Sequence, residues 1–387
     1  MLRDVISKRE SELPPSSMST FLKVASENKK IISLGPGEPD FLPPANVIAC
    51  VKRNASKTTH YAPVEGLAEL RRAVAGKLRK ENRVRASAGN VIITNGSNES
   101  ILIALMCTMD PGEEVLVPDP GFMDYRPVVE LLNGYPAPYR ISGEDNFELD
   151  PDLIRQSVNK GRTKVIVINT PSNPTGNVLK RKTLEEVADI AVDNNLLVIA
   201  DEAYEKFVYG RAKHVSMASL NGVQDNVVTL QSFSKTYAMT GFRVGYSSGP
   251  EKIIGAMKKV HVYTSISAPT ISQFAAIEAL RTGKNYVERA RKEYERRGAF
   301  LHKRLGEMGL ICAVPEGAFY LFPSIRNTGI GSDKFSQLML EKAKVAVLPG
   351  TEFGKYGEGY VRLSYATAYD RIVEAADRME RVVKKFN

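Results

Sequence analysis

The sequence predicts an α/β protein, a mostly parallel sheet between helices joined to a smaller α+β region built from both chain ends. Three observations predict it. The 387 residues exceed what one hydrophobic core usually holds. Between about residues 90 and 250, short apolar runs alternate with helical patterns, as strands and crossover helices do. Beyond about residue 270 the pattern changes to charged helices and Gly/Pro-punctuated strands.

In chain order, SELPPSSMST reads as an irregular arm expected to pack on the smaller region. The predicted strands then centre on Val91-Ile92-Ile93, Val115-Leu116-Val117, Lys164 to Ile168, Leu196 to Ile199 and Val227 to Leu230, each short and bounded by turn residues. Within 182–194, Leu184, Val187, Ala188 and Ala191 share one helical stripe, which suits a helix covering a sheet. Several runs end in polar clusters (TNGSNE, NTPSNPTG, DEAY, QSFSK), and ligands collect at the carboxyl ends of strands in open α/β sheets. A charged helical stretch to about 307 is interrupted at TGKN. VPEGAFYLFPSI, the helix DKFSQLMLEKAK, the strand YVRLSYA and a terminal helix follow. The expected division is 1–44 (arm and part of the smaller domain), 45–275 (large domain) and 276–387 (small domain).

Composition narrows the function. With 43% hydrophobic and 25% charged residues, the chain reads as a folded, water-soluble protein. The formal charge of +9 is dispersed over helix-like segments rich in Glu, so no nucleic-acid partner is expected. Cys50, Cys107 and Cys312 stand far apart, which indicates neither a zinc site nor a disulfide framework. None of His60, His214, His261 and His302 has metal-ligand spacing, so no metal is expected. MLRDVISKRE lacks an apolar signal core, and no run approaches the ~18 apolar residues of a membrane span. A cytoplasmic protein without a membrane partner is the expectation.

The densest chemical signal is Ser232-Phe233-Ser234-Lys235 followed by Thr240-Gly241-Phe242-Arg243. It places an amine at a strand end among hydroxyls and an arginine, as a phosphorylated aldehyde would require. Asp201 in VIADEAY is either a cap or turn aspartate or a functional acid. Asn95-Gly96-Ser97-Asn98 precedes an apolar helix, so the turn is either a plain cap or an anion site. Arg362 alternates with Val361 and Leu363 in a strand, and an arginine on a buried strand face needs an anion partner. GPGEPD lacks the third glycine and the βα context of a dinucleotide fingerprint.

The lysine segment resembles the signature of the class I and II aminotransferases, the fold-type-I pyridoxal-phosphate enzymes. The likeness extends in order through LGPGEPDF, HYAPVEGLAELR, PSNPTG, DEAYEKF, GAFYLFP and YVRLSYATAY, and is greatest to archaeal aspartate and aromatic aminotransferases. The resemblance implies a seven-stranded sheet and pyridoxal 5′-phosphate held covalently by Lys235. It implies that Asp201 pairs with the pyridine nitrogen, that Tyr204 and Asn173 bond the phenolic oxygen, and that Phe122 stacks on the ring, a position usually Trp or Tyr. Read from the residues alone, a core phenylalanine is the lesser alternative for Phe122. Gly96, Ser97, Asn98, Ser232, Ser234 and Arg243 would hold the phosphate. Tyr61 would reach the phosphate of a neighbouring subunit, which implies a homodimer with shared sites. Arg362, with Gly37 and Asn173, would bind the substrate α-carboxylate.

The implied reaction is a ping-pong transfer of an amino group from an amino acid, aspartate or aromatic, to a 2-oxo acid such as 2-oxoglutarate, with Lys235 as general base. One subgroup of bacterial aspartate aminotransferases has a lysine where this chain has Asn98, which weakens the case for aspartate. The rival readings are a same-fold enzyme with another reaction, such as a C–S lyase or cyclopropane-forming synthase, and a cofactor-binding transcription regulator. The regulator would need a DNA-reading domain ahead of this fold, and only about thirty residues precede ISLG.

Overall fold

The computed structural model of the chain describes residues 5–11, 13, 28 and 30–386. Residues 14–20 of the expected arm lie outside them, and with them its expected packing.

The strands are β1 (Ile32–Ser33), β2 (Val91–Thr94), β3 (Glu114–Asp119), β4 (Tyr135–Arg140), β5 (Thr163–Asn169), β6 (Leu197–Asp201), β7 (Val227–Ser232), β8 (Gly245–Ser248), β9 (Tyr320–Leu321), β10 (Val345–Ala346), β11 (Leu348–Pro349) and β12 (Val361–Ser364). Seven of them form one sheet in the order β2-β8-β7-β6-β5-β3-β4. Only β8 runs antiparallel, to both its neighbours. The carboxyl ends of the other six therefore lie along one edge of the sheet, which is where the polar clusters were expected to meet.

The continuous apolar runs have a physical cause. Side chains alternate across a strand, so a sheet covered on both faces needs apolar residues at every position. Val91, Ile93, Leu116, Ile166, Ile168, Val198 and Ala200 enter one core. Ile92, Val115, Val117, Val165, Val167, Ile199 and Val228 enter the core on the opposite face. The helix Arg181–Asp193 buries Leu184, Val187, Ala188 and Ala191, the stripe read from the sequence.

Two sheet strands gave no clear sequence signal. β8 is the small, polar GYSS, yet fully buried. β4 carries Pro136 and Pro138 and lies at the sheet edge. Tyr135 and Ile141 donate their amides to Glu113 and Asp119, so odd-numbered amides of β4 face inward. The prolines occupy the even positions, whose amides would point away from β3, and an edge strand tolerates that loss.

A third cluster joins the chain ends: Ile32, Leu34, Tyr294, Leu301, Phe319, Phe335, Val345, Leu363, Ile372 and Met379 share one core. β1 pairs in parallel with β10, and β11, β12 and β9 form a three-stranded sheet. The charged stretch is two helices, Thr270–Thr282 and Lys284–Glu307, parted at Gly283 where the TGKN break was read. Ala203, Tyr204, Phe207 and Tyr209 also enter this third core, so the residues just past β6 bridge it to the large sheet.

Candidate active site

The strand ends converge on Lys235. It lies in the short helix Phe233–Thr236 after β7, whose cap is Ser232, with Oγ accepting from the Ser234 amide at 3.1 Å. The amine donates to the Gly37 carbonyl, which fastens the GPGEPD loop over the strand ends. Burial and the nearby Arg362 and Arg243 lower its pKa to about 8, although Glu38 and Asp201 oppose them. More of the amine is therefore neutral and nucleophilic near neutral pH than for an ordinary lysine.

Asp201 ends β6 and is buried. It accepts from the Tyr125 hydroxyl at 2.8 Å and from the Ala203 amide at 3.1 Å. Burial raises its pKa despite those bonds. No cation among the described residues pairs with it, so a cationic nitrogen arriving here would be bound strongly. Tyr204 shares a 2.6 Å hydrogen bond with the hydroxyl of Tyr320.

Arg362 is the largest of the fully buried side chains. One guanidinium nitrogen donates to Asn173 Oδ1 at 2.8 Å and another to the Gly35 carbonyl at 2.5 Å, while Nε has no partner. The Tyr320 and Phe353 rings lie 4.4 and 4.8 Å from its central carbon. No carboxylate among the described residues pairs with it. Burial lowers its pKa, so the fold holds this cation against a real desolvation penalty. Gly37 must be glycine, since a Cβ there would fall on the Tyr320 hydroxyl.

The Asn95–Asn98 turn opens the helix Ser97–Thr108, with Gly96 at φ +88° as its cap. Arg243 donates to the Asn95 carbonyl at 3.2 Å and meets no carboxylate among the described residues. A Cβ on Gly96 would lie 2.8 Å from its guanidinium, and one on Gly245 would strike the Gly96 backbone. The turn is thus a cradle of backbone amides beside an arginine that has no acid partner among the described residues, closed to any side chain at residue 96. Asn98 is exposed and donates its amide to the Asp124 carboxylate. Phe122 is half-buried and edge-on to Tyr125, with ring centroids 5.5 Å apart. Tyr61 is 80% exposed.

Sequence reasoning missed the contacts of Tyr125, Tyr320 and Phe353. Nothing in an aromatic's neighbours announces which acid or guanidinium its ring or hydroxyl will meet. Among the described residues, Glu202, Glu205 and His214 bring ligand atoms within 4.8 Å of one another. Both Glu205 oxygens are already taken by Lys77 and Asn82, so an ammonium supplies the counter-charge there.

The residues fit pyridoxal phosphate. The donor set comprises an activated amine, a buried acid lacking a cation, a half-buried ring and an anion cradle, and the cradle is one a Cβ would fill.

Residues 29–379 match the family model described as aminotransferase class I and II. An aspartate aminotransferase of Pyrococcus abyssi is 46% identical over 98% of each chain. The aromatic-amino-acid aminotransferase 2 of Thermococcus litoralis is 44% identical over 98% of each. The solved aromatic aminotransferase of Pyrococcus horikoshii superposes with a TM-score of 0.90 at 47% identity, covering 95% of this chain and 99% of that one. With strand ends, amine and guanidinium arranged as described, and with likeness along the whole length, this chain belongs to the class I and II aminotransferases.

Proposed function

We propose that the chain transfers an amino group from aspartate or an aromatic amino acid to a 2-oxo acid such as 2-oxoglutarate, using pyridoxal 5′-phosphate held by Lys235. The relatives named for those two donors support the substrate class. The observation that carries the reading is Arg362, a buried cation with no carboxylate partner among the described residues, close enough to the Lys235 amine to help lower its pKa.

When bound, pyridoxal phosphate supplies an aldehyde for the amino group and a ring that accepts the electron pair left at the substrate Cα. Asp201 keeps the ring nitrogen charged, Tyr204 and Asn173 bond the phenolic oxygen, and Phe122 covers the ring face. Gly96, Ser97, Asn98, Ser232, Ser234 and Arg243 hold the phosphate. Arg362 orients the substrate by its α-carboxylate, aided by the Gly37 amide and Asn173. The Lys235 amine, once free, takes the proton from Cα; its lowered pKa leaves more of it unprotonated than an ordinary lysine would be.

The reading includes a homodimer in which the exposed Tyr61 reaches the partner's phosphate, and a cytoplasmic location. Among the described residues no helix is long and apolar enough to cross a membrane. Residues 45–275 would form the cofactor-holding domain and 276–387, with part of 1–44, the smaller one.

The test is a half-reaction screen. The protein loaded with pyridoxal phosphate is mixed with single amino acids, while loss of its near-visible band and release of 2-oxo acid are followed. Aspartate or an aromatic amino acid should bleach the band within seconds. Lys235→Ala should neither acquire the band nor release product, and normal turnover by that variant would end the proposal.

A further inference from the structure

Beneath the phosphate cradle lies a buried acid–imidazole pair that no role above uses. His261, on the helix Glu251–Thr264, is fully buried. Its Nδ1 lies 2.8 Å from the Val64 carbonyl and its Nε2 lies 3.1 Å from Glu99 Oε2. Both neighbours are acceptors, so the geometry suits a ring that donates from both nitrogens. Glu99 is the matching anion. Its Oε2 also accepts from the Asn95 amide and side chain at 2.6 and 2.9 Å, and its Oε1 from Ser265 and Thr264 at 2.6 and 3.2 Å. Burial alone would raise the Glu99 pKa, but bonds from His261, Asn95 and Ser265 outweigh it and hold the carboxyl at about 2.

The pair connects two elements that the proposed function needs in register. On one side it grips Asn95, whose carbonyl receives Arg243. On the other it grips Val64, three residues from Tyr61. Glu65 and Leu67 of that segment are fixed in turn, to the Ile93 amide and to Gln273. A neutral imidazole at 261 could donate along only one of the two directions. A Gln at 99 would replace a four-lone-pair anion by an amide whose nitrogen opposes one set of donors.

We infer that Glu99 and His261 are positioning residues for the cofactor phosphate: a buried ion pair that holds the Asn95–Ser97 turn in its anion-accepting shape and ties it to the segment presenting Tyr61. The inference rests on the proposed function, because it takes the cradle to be a phosphate site.

The experiment measures dissociation constants of pyridoxal phosphate and of pyridoxal, which lacks the phosphate, for the full chain from the near-visible absorbance of the bound aldehyde. Glu99→Gln and His261→Gln should each weaken pyridoxal phosphate by about tenfold or more, as loss of charge-assisted bonds does. Pyridoxal affinity should stay within about twofold of wild type. A general loosening would move both ligands alike and would overturn the inference, as would unchanged affinity for pyridoxal phosphate. If those variants fail to fold, Ser265→Ala at the rim should show the same phosphate-only loss at about threefold, and no loss would count against the pair. A wild type that binds neither aldehyde removes the functional reading itself. A wild type that binds, beside variants that bind equally well, removes only the inference.

Discussion

Replacing Arg362 by Met separates binding from folding. The side chain is buried, stacked on two rings, and free of any acid among the described residues. If it grips a substrate α-carboxylate through two charge-assisted bonds, each worth roughly 1.5–3 kcal/mol, the lower half of that range gives about 3–4 kcal/mol. At about 1.4 kcal/mol per decade, kcat/KM for an amino acid should fall between about 100- and 1,000-fold. Stability should respond differently. Methionine fills most of the volume and removes a cation whose burial is costly. Against that gain, the Gly35 carbonyl and Asn173 Oδ1 lose their donor, at about 1–3 kcal/mol each. These opposing effects should leave the unfolding free energy within about 2 kcal/mol of wild type in urea titration. The decisive comparison is an amine without a carboxylate, whose reaction should be insensitive to the substitution. A loss under fivefold with amino acids, or an equal loss with both substrates, would refute the carboxylate assignment.

Other expectations follow from the geometry. Gly96→Ala forces a left-handed backbone and drives a methyl to 2.8 Å from Arg243, so pyridoxal phosphate affinity should fall about tenfold, measured by absorbance titration. With the Lys235 pKa lowered to about 8, the neutral amine is scarce below that pH and dominant above it. Stopped-flow capture of pyridoxal phosphate should therefore accelerate as pH rises through about 8 and then level, whereas an ordinary lysine would keep accelerating toward about 10.4. Glu205 is buried and charge-paired, chiefly with Lys77, which holds its carboxyl well below the usual range. Glu205→Ala leaves that ammonium unpaired and should cost about 3–5 kcal/mol in denaturant unfolding. The depressed carboxyl also means that this stability is present above the ordinary Glu pKa and is lost as pH falls toward its folded value.

Most of the fold was legible because a doubly covered sheet imposes a strong pattern. Val165 to Ile168 could hardly be anything but a central strand once both faces need apolar atoms. β8 escaped because Gly245, Ser247 and Ser248 are chosen for close backbone approach and small volume, and they look like a turn. The cluster around Lys235 was legible for another reason: an amine, hydroxyls and an arginine within one short segment is an improbable grouping without an anion to hold. Arg362 was legible because a charge in a strand of alternating apolar residues demands a partner. Tyr125 and Tyr320 were not, since their value lies in where a hydroxyl ends up across some 76 and 116 residues of intervening chain. His261 read as an ordinary histidine for the same reason, its two acceptors lying 197 and 162 residues away.

The two prolines of β4 also bear on how the molecule behaves in a crowd. A sheet flank normally offers a row of outward amides on which a stranger's backbone can zip, and fibres grow by that route. Pro136 and Pro138 erase two of those donors while the intervening residues keep their inward bonds to β3, so most of the flank offers a stranger nothing to accept. Restoring donors there, as Pro136→Val and Pro138→Val together would, turns a terminus of the sheet into a template.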